Sequence, residues 1–145
     1  MILRVRAVLD TSVLVAALRS PSGASGLILE AVLGGYLRPL VSVPLVLEYE
    51  AVLTRPEQLK APGFTAAEAI RIVKAFCQMG EPVHLAYLLR PGLRDPDDEF
   101  VLETAFHGRA DVIVTFNRRD FEPAASSLGI EVILPYEALK WVRER

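Results

Sequence analysis

The chain reads as an α/β protein, a parallel sheet with helices on both faces. Three observations predict this class. Short β-branched runs at Val5–Leu9, Leu40-Val41, Asp111–Thr115 and Glu131–Leu134 are separated by longer helical patterns, the order that builds parallel strands through helical crossovers. The composition is 52% hydrophobic, with a mean hydropathy of +0.33, as expected of strands buried on both faces. Two of the strands run out into polar residues, Asp10 and Asn117, at the carboxyl ends where such sheets hold their ligands. A length of 145 residues suits one domain over 1–145 with one core.

The elements follow in order. Val5–Leu9 is a strand. Thr11 or Ser12 caps a helix through Val13–Leu18, which Pro21-Ser22-Gly23 breaks. A helix over Ala24–Leu33 stops at Gly34-Gly35. After the short strand Leu40-Val41, Ser42-Val43-Pro44 opens a helix through Leu53, with Pro44 in its first turn and Leu45, Val46, Tyr49, Val52 and Leu53 at helical spacing. Pro56–Gly63 reads as a loop. Thr65-Ala66-Ala67-Glu68 is a capping box that opens a helix to about Met79. Val83–Leu85 is a short strand, Leu88–Pro96 a loop, and Asp97–His107 a helix with acids in its first turn. The strand Asp111–Thr115, a short helical stretch, the strand Glu131–Leu134 and a helix over Tyr136–Arg143 complete the chain.

Composition excludes several functions. No apolar run approaches the roughly 18 residues of a membrane span, and Met1–Arg6 lacks the shape of a signal peptide, so a cytoplasmic protein without membrane contact is expected. Cys77 is the single cysteine and His84 and His107 the only histidines, which excludes an intrachain disulfide and argues against soft-ligand zinc. Cys77 lies on a helical pattern and reads as a small buried hydrophobe. A net charge of −2 excludes a strongly basic nucleic-acid binder while leaving room for a basic rim around an acidic centre. The apolar surplus also points to a self-association surface.

Chemistry must then come from acids. Asp10 at a strand end is a helix cap or a ligand, and Thr11 and Ser12 are available for the capping. Glu48 stands beside the apolar positions of its helix, where a solvated side chain is the plainer reading. Asp95, Asp97, Asp98 and Glu99 crowd one helix start. Asp97 or Asp95 is the natural cap, and the mutual repulsion of the rest would be relieved by a divalent cation. Asn117 and Asp120 form an Asx turn and a cap, or belong to the same site. Strand ends and a helix start converging in this way make a candidate site for a hard, oxygen-ligated cation.

Taken in order these segments resemble a known family. Asp10-Thr11-Ser12-Val13-Leu14-Val15 after a strand, Glu48 within Leu47-Glu48-Tyr49-Glu50, Asp98 seven residues before Ala105, and Ala110–Phe121 with Thr115, Asn117 and Asp120 are similar to the PIN domain, and within it to VapC-type ribonuclease toxins. The separations of 38, 50 and 19 residues between Asp10, Glu48, Asp98 and Asn117 fit as well. The resemblance covers essentially the whole chain. It implies a three-layer α/β/α sandwich around a central, mostly parallel sheet, and a nuclease using Mg²⁺ or Mn²⁺ to cleave single-stranded RNA. It makes Asp10, Glu48 and Asp98 the first three acids, with Asn117 and Asp120 sharing the fourth place. Asp10 and Asp98 would be direct metal ligands, with Glu48 and Asp120 positioning water or a second ion. Ser12 and Thr115 would be supporting or substrate-facing hydroxyls. Many relatives have Asp where this chain has Asn117, a neutral ligand that makes a second ion more weakly held.

Arg19, Arg38, Arg55, Lys60, Arg118 and Arg119 are the candidate RNA-binding cations, with Arg118 and Arg119 foremost because they lie between Asn117 and Asp120. The resemblance further implies a homodimer, using the helices at Pro44–Leu53 and Thr65–Met79, and a separate antitoxin protein. Two other readings compete. One is a PIN-fold binding module with little catalysis. The other is a phosphatase or phosphoacceptor domain using Asp10, since Asp10-Thr11-Ser12 resembles the haloacid dehalogenase phosphatases. Those need a second Asp where this chain has Ser12.

Overall fold

The computed structural model describes residues 5–61, 63–85 and 96–144. Five strands, β1 (Val5–Leu9), β2 (Leu37–Val41), β3 (Glu81–Pro82), β4 (Val112–Val114) and β5 (Glu131–Ile133), form one sheet in the order β3-β2-β1-β4-β5. Every pairing is parallel, with Ala7 opposite Pro39 on one side of β1 and Val112 on the other. Among the described residues eight helices lie around it: α1 (Thr11–Arg19), α2 (Ala24–Leu33), α3 (Val43–Leu53), α4 (Pro56–Lys60), α5 (Ala66–Gln78), α6 (Pro96–His107), α7 (Arg118–Ser127) and α8 (Pro135–Glu144). The result is the three-layer α/β/α sandwich expected.

Chain direction explains the layers. From β1 through β2 to β3 the chain moves one way along the sheet, and from β4 to β5 the other. Right-handed crossovers place connections of opposite direction on opposite faces. In keeping with this, α6 packs on β1, β2 and β4 and against α7, whereas α2 packs on β2 and against α1, α5 and α8. Ala7, Val8, Leu9, Val112, Ile113 and Val114 are wholly buried. This is why β4, and β1 after Arg6, read as continuous apolar runs rather than alternating ones. Truncating Leu9 to Ala here would cost about 2–5 kcal/mol.

Several local signals act as expected. Helix α2 ends in a Schellman motif. Gly35 adopts φ +80°, and the N–H groups of Gly35 and Tyr36 return to the carbonyls of Val32 and Ala31 at 3.0 and 2.8 Å. The capping box of α5 forms, with Thr65 Oγ1 accepting from the Glu68 N–H and Glu68 Oε1 from the Thr65 N–H, each at 3.1 Å. Cys77 is half-buried at the edge of the core, and burial, helped by Glu50, raises its thiol pKa.

Other signals misplace an element. Strand β3 is Glu81–Pro82 rather than Val83–Leu85; only the Val83 N–H extends the pairing, to the Val41 carbonyl at 2.7 Å. The Pro56–Gly63 segment contains the one-turn helix α4, begun by Pro56. The loop expected from Leu88 onward and the cap expected of Asp95 lie outside the described residues. Among the described residues no single helix is long and apolar enough to cross a membrane.

Candidate active site

The strand order reverses between β1 and β4, since the chain leaves β1 toward β2 and arrives later at β4 on the other side. A crevice opens at the carboxyl ends at such a point. Asp10 follows β1 and Thr115 follows β4, and these two neighbours build the centre of the site. Thr115 is fully buried and donates its hydroxyl to Asp10 Oδ2 at 2.7 Å. Ser12 donates to the same oxygen at 2.8 Å. The Asn117 N–H in turn donates to Thr115 Oγ1 at 3.0 Å. The Asp10 backbone is tied into the sheet by its N–H on the Val114 carbonyl at 2.9 Å.

Asp10 occupies the cap position of α1, yet its carboxylate makes no capping bond. Neither Thr11 nor Ser12 caps the helix either: Thr11 is its first residue and the Ser12 hydroxyl turns back to Asp10. Of the two readings of Asp10, the cap is therefore excluded. Its side chain is held by two hydroxyls converging on Oδ2, while no described residue donates to Oδ1. Asp10 is only 6% exposed, and its anchored side chain lines the cleft.

Helix α3 brings Glu48 alongside. Tyr49, the next residue, is wholly buried and donates its hydroxyl to the Leu9 carbonyl at 2.6 Å, one residue before Asp10. Burial first, and then the charges of Cys77 and Asp10, push this phenol well above its usual range, so it remains a neutral donor. Its ring stands edge-on to Phe76 at 5.7 Å. At the start of α3, Ser42 Oγ and Thr104 Oγ1 share a hydrogen bond of 2.7 Å, which ties α3 to α6 and so to the helix carrying Asp98.

The outcome is a cleft of about 630 Å³ whose wall includes Asp10, Ser12, Glu48, Asp98 and Asn117. Arg19 and Arg55 line it too, and neither ion-pairs with a described acid. Asp120, Arg118 and Arg119 line an adjoining pocket that shares Asn117. Arg118 is engaged by Glu122 at 3.0 Å and Glu137 at 2.7 Å, and Arg38 lies 3.9 Å from Glu81. The cations beside the acids are thus Arg19 and Arg55 rather than Arg118 and Arg119. Arg19 closes α1 on the face of Ser12 and Ala16, at i, i+4 and i+7, whereas Arg55 lies two residues past the end of α3 in extended backbone.

The donor set suits a hard divalent cation, since three carboxylates and an amide offer only oxygen ligands. Among the described residues no three of His, Cys, Asp and Glu stand close enough to enclose an ion. An open set of this kind fits a cation that keeps several of its waters.

A family model, the PIN domain, matches residues 6–119. No curated protein and no solved structure matches significantly. The family has a nuclease fold; its nucleases act on nucleic acids and typically use divalent metal ions. The matched stretch holds Asp10, Glu48, Asp98, Thr115 and Asn117 together with four of the five strands and the crevice they frame, and the chain belongs to the PIN-domain family.

Proposed function

We infer that this protein is a metal-dependent endoribonuclease that cleaves single-stranded RNA, with Mg²⁺ or Mn²⁺ as its ion. The supporting observation is the meeting of Asp10, Glu48, Asp98 and Asn117 on one cleft wall. Asp10 and Asp98 are the direct ligands in this reading, Glu48 and Asp120 position water or a second ion, and Asn117 contributes a neutral oxygen. A divalent cation supplies there a lowered pKa for bound water and neutralisation of the phosphate. The chain's own part is to fix Asp10 through Ser12 and Thr115 and to place Arg19 and Arg55 against flanking phosphates. Such contacts make binding salt-sensitive without specifying sequence.

A toxin role, with a separate antitoxin covering the acidic cleft, follows from the likeness to VapC-type proteins. Exposed Val43 and Leu47, 73% and 61% accessible and one turn apart on α3, support a homodimer through that helix. The test is cleavage of a labelled single-stranded RNA with Mn²⁺, with Mg²⁺ and with EDTA, beside Asp98→Ala. Metal-dependent cleavage lost in the variant is expected. Metal binding without cleavage by wild type would favour the binding-module reading, and a covalent phosphate on Asp10 the phosphoacceptor reading.

A further inference from the structure

The pocket adjoining the acid cleft has a volume of about 410 Å³ and is lined by Phe116, Asn117, Arg118, Arg119, Asp120 and Leu134. Phe116 is 49% exposed and makes no ring contact with a described residue, although the phenyl groups of Phe76 and Phe121 are wholly buried. Its backbone is nevertheless fixed. On one side the Thr115 N–H donates to the Ile133 carbonyl at 3.0 Å, and on the other the Asn117 N–H donates to Thr115 Oγ1 at 3.0 Å. Phe116 is therefore an exposed aromatic on an anchored backbone at the carboxyl edge of the sheet, two residues past β4.

The polar groups around it are not those of a phosphate clamp. Arg118 is neutralised by Glu122 and Glu137, and the exposed Asp120 repels phosphate. What remains is the Asn117 amide, the Asp120 carboxylate and the Arg119 guanidinium, a mixed set of donors and acceptors suited to base edges. Tyr136, at the carboxyl end of the adjacent strand β5, is also exposed, but Lys140 already lies 5.9 Å over its ring. Phe116 offers the open face.

We propose that this pocket takes one unpaired nucleobase, stacked on Phe116, of the strand whose phosphodiester occupies the acid cleft. The two sites are continuous through Asn117, which lines both. A base can stack there only when it is free of its pairing partner, so the pocket selects single-stranded over duplex substrate. The inference rests on the nuclease reading.

The test compares wild type, Phe116→Ala and Phe116→Trp in cleavage of a labelled single-stranded RNA, measuring kcat and KM separately and checking each melting temperature. Loss of one stacked base is expected to raise KM roughly tenfold in Phe116→Ala, with kcat and melting temperature unchanged and Phe116→Trp close to wild type. In RNAs carrying a single abasic nucleotide, the difference between wild type and Phe116→Ala is expected to vanish at one position relative to the cut. Equal KM in wild type and Phe116→Ala on intact RNA, with wild type active, overturns this inference alone. Wild type that neither binds nor cleaves the RNA overturns the nuclease reading and this inference together.

Discussion

Toward the amino-terminal end of the sheet, Glu81 meets two guanidinium groups, Arg6 at 2.7 Å and Arg38 at 3.9 Å. Arg6 binds it with both terminal nitrogens and also reaches the Gly108 carbonyl, while the Arg6 N–H is taken by Asp111. Charge there is matched by charge. At the carboxyl end Asp10 accepts, among the described residues, from the neutral hydroxyls of Ser12 and Thr115, in a cleft with Glu48 and Asp98. Carboxylates grouped in one cleft repel one another, and Arg19 and Arg55 on its wall, or a bound cation, relieve that repulsion. In the proposed reading the first end serves stability and the second binding.

The largest effect should come from the carboxyl end. Asp10→Asn keeps the shape and removes the charge, and cleavage rates should fall by more than the roughly 10–100-fold that a supporting contact carries. Thr115→Val should cost about 10–100-fold in activity or metal affinity. It also removes the acceptor of the part-buried Asn117 N–H, for about 1 kcal/mol or less in a denaturation curve because water can replace it. Ser12→Ala, which leaves Thr115 on Asp10, should cost less than Thr115→Val in both assays. The reverse ranking would break the assignment of Thr115 as the principal anchor.

Tyr49→Phe belongs to neither end and joins core to site. It strands the buried Leu9 carbonyl and should destabilise by about 1–3 kcal/mol in urea unfolding, with a smaller change in cleavage than Thr115→Val. Glu81→Gln should give the smallest effect, about 1 kcal/mol at neutral pH for a partly exposed pair, with cleavage unchanged. Here the pH dependence has a definite sign. Hydrogen bonding and charge from Arg6 hold the Glu81 carboxyl below its usual range. Its contribution is then complete above the unfolded pKa and fades as pH falls through the lowered folded one. Wild type and Glu81→Gln should therefore differ in stability at pH 7 and converge in acid. A gap that widens in acid would contradict this account of the pair.

Much of the carboxyl end was legible in the chain. Asp10 and Thr115 follow short apolar runs, and a parallel sheet delivers such residues to one edge. Glu48 was less so, because a lone helical acid reads as solvated; the buried face of Leu45, Tyr49 and Leu53 fixes which way α3 faces. Arg19 and Arg55 were hidden among other cations; the i, i+4, i+7 spacing of Ser12, Ala16 and Arg19 carries the information for the first, while Arg55 lies past the end of α3, where helical spacing says nothing. Strand β2 extends back through Pro39, a residue that argues against an inner strand. It is tolerated because β3 pairs only Leu40 and Val41, so that side of Pro39 needs no N–H. The edge strand β3 was misplaced for a related reason: two residues, one of them Pro82, carry too little alternation to mark a strand.

The most direct test of the contrast is Mn²⁺ binding, followed by electron paramagnetic resonance, in wild type, Asp10→Asn and Glu81→Gln. The account predicts that wild type and Glu81→Gln bind alike and that Asp10→Asn binds at least about tenfold more weakly. Equal binding by all three proteins, or a loss confined to Glu81→Gln, would contradict it.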